Sequence, residues 1–139
     1  MSLTPPADFL KYAIGSTSNN YTIGDPTPFN IPIGGAIISP HLTGIFNRYE
    51  GQVTINFKTC TNNATTSSTI YTGTNVIPTR YLPSMPTYCN ISVLNNNLVK
   101  LGTVRILPTG LMEFFVEGHT DFDDAGQCGI LKGSVTYAI

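Results

Sequence analysis

The sequence has 139 residues, of which 41% are hydrophobic and only 11% charged, and its formal net charge is −1. This length suits one domain with a single core, and the near-neutral charge excludes the basic surface that a nucleic acid or an anionic membrane surface requires. No run of residues approaches the roughly 20 apolar side chains of a membrane span, so membrane insertion is not expected either. Asn, Thr and Ser must make the surface polar, and these residues favour turns and strands over helices.

The first third of the chain is punctuated by proline and glycine. Six prolines precede His41, and this pattern argues against long helices. We predict short strands at residues 21–23 and 36–39. Residues 1–15 are interpreted as a tether or lead-in from an upstream segment, and residues 16–139 as the folded domain.

A clear strand pattern begins near the middle of the chain. Val53, Ile55 and Phe57 alternate with polar residues, which is the period of a strand with one buried and one solvated face. Residues 59–68, rich in Thr, Asn and Ser, follow this strand and predict an exposed loop.

Three further segments repeat the alternation, at residues 91–94, 101–107 and 111–117. The last two are joined by the Pro-Thr-Gly sequence of residues 108–110, a short loop containing glycine. Such a loop between two alternating segments predicts a β-hairpin.

The chain closes on another alternating segment, residues 133–139. Val135, Tyr137 and Ile139 fall on one face of this strand and are predicted to be buried. Several short strands separated by turn signals indicate an all-β fold, and we predict an antiparallel β-sandwich of the jelly-roll type.

Few residues are candidates for catalysis or zinc binding. His41 and His119 are the only histidines, and neither lies in a nucleophile motif, so no catalytic residue is predicted. Cys60, Cys89 and Cys128 lack zinc spacing and are interpreted as small buried residues, with a Cys60–Cys89 disulfide left open.

The most polar segment of the second half carries Asp121, Asp123 and Asp124. Carboxylates are calcium ligands, but the ligand set of a calcium loop is incomplete and aspartate is common in turns, so no metal or cofactor is predicted. A sugar-binding site would use Tyr, His, Asn and Asp side chains between strands. The candidate ligand-contact residues are Tyr71, Tyr88, His119, Asp121, Asp123 and Asp124.

Four segments of the second half resemble a known class of viral domain. They are TRYLPSMP at residues 79–86, the strand that begins at Ile91, LGTVRILPTGLMEF at residues 101–114 and GSVTY at residues 133–137. Their order is similar to that of the C-terminal head domains of viral fibres, especially phage tail-fibre and receptor-binding-protein tips. The resemblance covers roughly residues 79–139 and consists of strands and turns, without a catalytic signature.

The resemblance implies a homotrimer of β-sandwich heads at the tip of a fibre, on the virion surface. Its partners would be an upstream stalk and a glycan or protein receptor on the host cell. A weakly charged domain also gains by burying apolar surface between subunits. The candidate interface residues are Phe114, Phe115, Val116 and Tyr137.

The expected function is therefore non-enzymatic attachment, fibre structure, or both. Three alternatives stay open: a purely structural capsid or fibre role, a carbohydrate-binding module from a larger secreted protein or enzyme, and a small hydrolase whose site has no recognisable motif. Oligomeric state, glycan binding and the upstream sequence would separate them.

Overall fold

A single curled antiparallel sheet accounts for most of residues 24–139, the part of the chain that the computed structural model describes. These residues contain no α-helix, and none of their helical turns is long or apolar enough to cross a membrane. The predicted all-β class is confirmed, whereas the predicted tether and the strand at residues 21–23 lie outside the described residues. The strands are β1 (Asp25–Gly35), β2 (His41–Tyr49), β3 (Gln52–Phe57), β4 (Cys60–Asn63), β5 (Ile70–Thr72), β6 (Thr87–Asn95), β7 (Leu98–Ile106), β8 (Met112–Val116), β9 (Gln127–Ile130) and β10 (Gly133–Ala138).

The strand order across the sheet is β10-β3-β2-β1-β5-β8-β7-β6-β9-β4. β1 divides the sheet into two halves, β10-β3-β2 on one side and β5-β8-β7-β6-β9-β4 on the other. It belongs to both, because residues 25–32 pair with β2 and residues 33–35 pair with β5. The sheet curls so that the strand at each of its two ends contacts a strand of the other half. The Cys60 thiol of β4 lies 3.5 Å from the His41 carbonyl oxygen of β2, and β10 packs beside β6. The apolar faces of both halves therefore enclose one core.

The proline-rich first strand differs from the prediction. Pro26, Pro28 and Pro32 all lie within β1, and the expected strand at residues 36–39 is a bend. Among the described strands, β2 alone pairs with residues 25–32 of β1, and the three prolines occupy alternate positions that direct their nitrogens to one edge. Proline is tolerated at such an edge because no hydrogen-bond donor is needed there.

The segment predicted as an exposed loop, residues 59–68, contains the edge strand β4. This strand pairs with β9, from Cys60 opposite Ile130 to Asn63 opposite Gln127. Polar residues suit an edge strand, which has solvent on one side. The pairing partner lies more than sixty residues further along the chain, so the local composition carries no sign of it.

β2 was not predicted because Gly44 interrupts its alternation. A Cβ atom at Gly44 would lie 2.0 Å from the Asn56 carbonyl oxygen and 2.7 Å from the Phe29 ring. The Phe29 ring thus occupies the space of the missing side chain, stacked on Phe46 with ring centroids 4.4 Å apart.

The predicted hairpin is confirmed. β7 and β8 pair antiparallel, and the backbone N–H of Gly110 donates to the Leu107 carbonyl oxygen at 2.9 Å in the connecting turn. The closing strand is also confirmed, since β10 pairs with β3 and Tyr137 lies opposite Val53. Ile139 is an exception to the predicted buried face, because its side chain is 37% exposed.

Tyr81 closes the core beside β2. It belongs to a helical turn, Thr79–Tyr81. Its fully buried ring stacks on Phe46 at 5.1 Å, and its hydroxyl donates to the Asp25 carbonyl oxygen at 2.7 Å. The Tyr137 hydroxyl in turn donates to the Tyr81 carbonyl oxygen at 2.6 Å. Tyr81 thus joins β1, β2 and β10 at this end of the core.

Candidate ligand-binding face

A row of four side chains crosses the outer face of β5, β8, β7 and β6. Tyr71 pairs with Glu113, Glu113 with Arg105, and Arg105 with Tyr88. Their chain neighbours on β5, β8 and β7 are buried, so strand alternation directs the row away from the core. We call these four residues the tyrosine row. Its two tyrosines are three strand spacings apart, about 14 Å between backbones.

An ion pair forms the centre of the tyrosine row. The Arg105 Nε donates to Glu113 Oε1 at 2.9 Å, and the Nη2 of the same guanidinium contacts the same oxygen. Hydrogen bonds to Glu113 and, secondly, to Tyr88 raise the pKa of the Arg105 guanidinium above its ordinary value. The Arg105 guanidinium is therefore charged at neutral pH and is held against the Glu113 carboxyl group.

The two tyrosines at the ends of the row are exposed. Tyr71 is 45% and Tyr88 51% exposed. The ring of Tyr71 lies over β1, where its nearest atom is 3.6 Å from the position that a Cβ of Gly34 would take. Because Gly34 has no side chain, one face of this ring rests on backbone and the other faces solvent.

His119 folds back onto the same face from the turn Glu117–His119. Its ring stacks on Tyr88 with centroids 5.5 Å apart and lies equally far from Phe115. Two backbone hydrogen bonds between Val116 and Thr120, at 3.0 and 3.2 Å, close the turn. Gly118 makes it possible with a φ of 75°, a conformation that favours glycine.

Three of the predicted ligand-contact residues, Tyr71, Tyr88 and His119, thus share one face, on strands and a turn instead of on loops. The predicted aspartates lie in the next loop, before β9. There the Asp123 N–H donates to Asn95 Oδ1 at 2.8 Å. Within residues 24–139, no group of three His, Cys, Asp or Glu is placed to hold a metal ion.

The candidate interface residues divide into two sets. Phe114, Val116 and Tyr137 are at most 5% exposed and pack in the core of their own chain, so their side chains are not available to a second copy. Phe115 points to the outer face, where the Arg105 guanidinium lies 5.8 Å from its ring. Only for Phe115 does the interface role stay a prediction.

Arg105 and Glu113 are site residues that the sequence interpretation missed. Each occupies a polar position in an alternating segment, on either side of the predicted hairpin. A register drawn through the Pro-Thr-Gly loop would have placed them opposite each other, and opposite charges in such a pair stabilise a sheet.

The three cysteines are free thiols. The open possibility of a Cys60–Cys89 disulfide is therefore not realised. Burial raises the pKa of the thiols of Cys60, Cys89 and Cys128, and a protonated thiol is a poor nucleophile.

Two exposed rings on either side of an ion pair can bind the apolar face of a sugar while the charged groups bond its hydroxyls. Comparisons of the sequence with protein-family models and with curated proteins find no match, so the function must be inferred from the residues and their geometry.

Proposed function

We propose that the chain is a non-enzymatic attachment domain that binds a glycan across the tyrosine row. The alignment of Tyr71 and Tyr88 on either side of the Arg105–Glu113 pair carries this proposal. Tyrosine supplies a large, rigid and amphipathic contact at low cost in conformational entropy. The ion pair between them supplies fixed hydrogen-bonding groups.

The length of the row favours an oligosaccharide over a single sugar. The backbones of Tyr71 and Tyr88 are about 14 Å apart, which is longer than one sugar ring. A glycan crossing the strands would place one sugar on each ring and others over the ion pair. Such open contacts are individually weak, and several linked copies of the site would add avidity.

The fibre-head resemblance supports a homotrimer at a virion surface, and we include this in the proposal. The two halves of the curled sheet, joined by β1, are compatible with a sandwich of the jelly-roll type. Exposed apolar side chains outside the tyrosine row, such as Ile45 on β2, provide surface that association would bury. A host-cell glycan would then be the receptor.

A carbohydrate-binding module from a larger protein is the second candidate, because the tyrosine row suits it equally. The oligomeric state separates the two. Sedimentation at micromolar concentration should give a trimer for a fibre head. A monomer under those conditions would contradict the fibre head and favour the module.

Glycan binding is tested on an array of oligosaccharides, with the parent chain and the variants Tyr71→Ala, Tyr88→Ala and their combination. Each single variant should weaken binding about tenfold, a change of about 1.4 kcal/mol, and the double variant should abolish it. Tyr49→Ala is the matched control, since Tyr49 is also 51% exposed but lies on β2. Binding by the folded double variant at parent strength, or a folded parent that binds no glycan, would overturn the proposal.

A further inference from the structure

A cleft opens where β6 loses β9 as its partner. β9 pairs with β6 only at Val93 and Leu94, and a last hydrogen bond joins the Leu131 N–H to the Ser92 carbonyl oxygen at 3.1 Å. The chain then leaves through Lys132 to begin β10, which pairs with β3 in the other half of the sheet. This divergence leaves a cavity of about 260 Å³ beside β6.

The cleft combines one cation with neutral polar groups. Lys132, Ser92, Ser134 and Asn90 line it, and Leu101, 56% exposed, forms an apolar wall. Within residues 24–139, Lys132 forms no ion pair. A lysine that lines a cleft together with hydroxyl and amide side chains is suited to an anion, because each of these groups can donate a hydrogen bond to it.

The cleft continues the tyrosine row. Tyr88, Asn90 and Ser92 follow one another on the outer face of β6, because alternate residues of a strand share a face. The rise of a strand places Asn90 about 7 Å beyond Tyr88. A sugar stacked on Tyr88 would therefore have a substituent or a neighbouring sugar within reach of the cleft.

We propose that the cleft binds the carboxylate of an acidic sugar, so that the glycan of the tyrosine row is an acidic oligosaccharide. This inference depends on the proposed function. The Lys132 ammonium pairs with the carboxylate, and the Ser92 and Ser134 hydroxyls donate to its oxygens. Leu101 packs against the carbon skeleton of the same sugar. The volume, about 260 Å³, is below that of drug-sized pockets, so one sugar unit fills it.

The test compares matched acidic and neutral oligosaccharides by titration calorimetry with the parent chain. Sialyllactose is paired with lactose, and cellobiouronic acid with cellobiose. The acidic member of at least one pair should bind about tenfold more tightly, and the pair that shows the preference identifies the class of acidic sugar. Lys132→Gln should remove this preference while neutral binding persists.

Lys100→Gln is the matched control. It removes the same charge from β7, but Lys100 points to the opposite face from Leu101, so the acidic preference should persist. Three results would overturn the inference: equal binding of acidic and neutral members, a preference that survives Lys132→Gln, or one lost equally in Lys100→Gln. All three leave the tyrosine row as a glycan site, whereas absence of binding by every oligosaccharide would overturn the proposed function as well.

Discussion

Removing the end of β10 should unfold the domain, chiefly because of Tyr137. The Tyr137 side chain is 5% exposed, and its hydroxyl donates to the Tyr81 carbonyl oxygen at 2.6 Å. Deleting residues 137–139 removes this ring, its hydrogen bond and two ladder pairs with β3. It also removes the hydrogen bond from the Ile139 N–H to the Gly51 carbonyl oxygen, 2.9 Å long.

The single substitution Tyr137→Ala shows how much folding stability this side chain contributes. Loss of a buried aromatic ring costs about 3–5 kcal/mol, and a Tyr81 carbonyl oxygen left without its partner adds about 1–3 kcal/mol. The total of about 4–8 kcal/mol compares with about 5–15 kcal/mol for the whole stability of a domain. Tyr137→Phe keeps the ring and should lose only the hydrogen-bond part of this stability, about 1–3 kcal/mol.

The measurement is urea unfolding followed by far-ultraviolet circular dichroism. Stability should fall in the order parent, Tyr137→Phe, Tyr137→Ala, with the deletion of residues 137–139 least stable. Ile139→Ala is the control, because its side chain is 37% exposed and its backbone bond is kept. Trimming residues 1–11, which carry two adjacent prolines and no alternation, should have little effect. A Tyr137→Ala variant within about 1 kcal/mol of the parent would refute the reasoning.

Three further outcomes are expected. Gly44→Ala should lower the free energy of unfolding by about 1–3 kcal/mol through overpacking, because its Cβ would lie 2.0 Å from a carbonyl oxygen. Gly73→Ala is the control and should be nearly neutral, since the nearest atom to its Cβ would be 3.8 Å away. Equal melting temperatures of the two variants would contradict this. Burial raises the pKa of Tyr137 above the ordinary 10.0 and the pKa of each of the three thiols above the ordinary 9.0. The unfolded chain therefore loses these protons at lower pH than the folded chain, and the free energy of unfolding should fall as pH rises above about 9. A free energy of unfolding that stays constant between pH 8 and 11 in reductant would disprove this. A chelator should leave the melting temperature unchanged, and a large drop would reveal a metal site at the Asp121–Asp124 loop.

The predictable part of the fold is the part whose pattern is local. Val53, Ile55 and Phe57 in β3, and the two segments flanking the Pro-Thr-Gly loop, each alternate within a few residues. Strand geometry alone converts this alternation into a buried and an exposed face. The hairpin and the closing strand followed for the same reason.

Other elements depended on partners that lie far away in the chain. Proline is acceptable in β1 because, within residues 24–139, no strand pairs with the second edge of residues 25–32, and the polar β4 is a strand because β9 pairs with it. Gly44 belongs to β2 because the Phe29 ring fills its place.

The candidate site was also predictable from the sequence only in part. The residue types alone selected Tyr71, Tyr88 and His119, together with three aspartates that lie in the next loop, since exposed aromatic and polar side chains are those that bind ligands. The ion pair between the two tyrosines lies across the predicted hairpin and follows from its register. The assembly of Tyr71, Tyr88 and His119 into one face and the cleft at Lys132 required the tertiary structure. The face and the cleft each join segments separated by tens of residues, and register between such segments is determined by packing of the whole core, which no local pattern encodes.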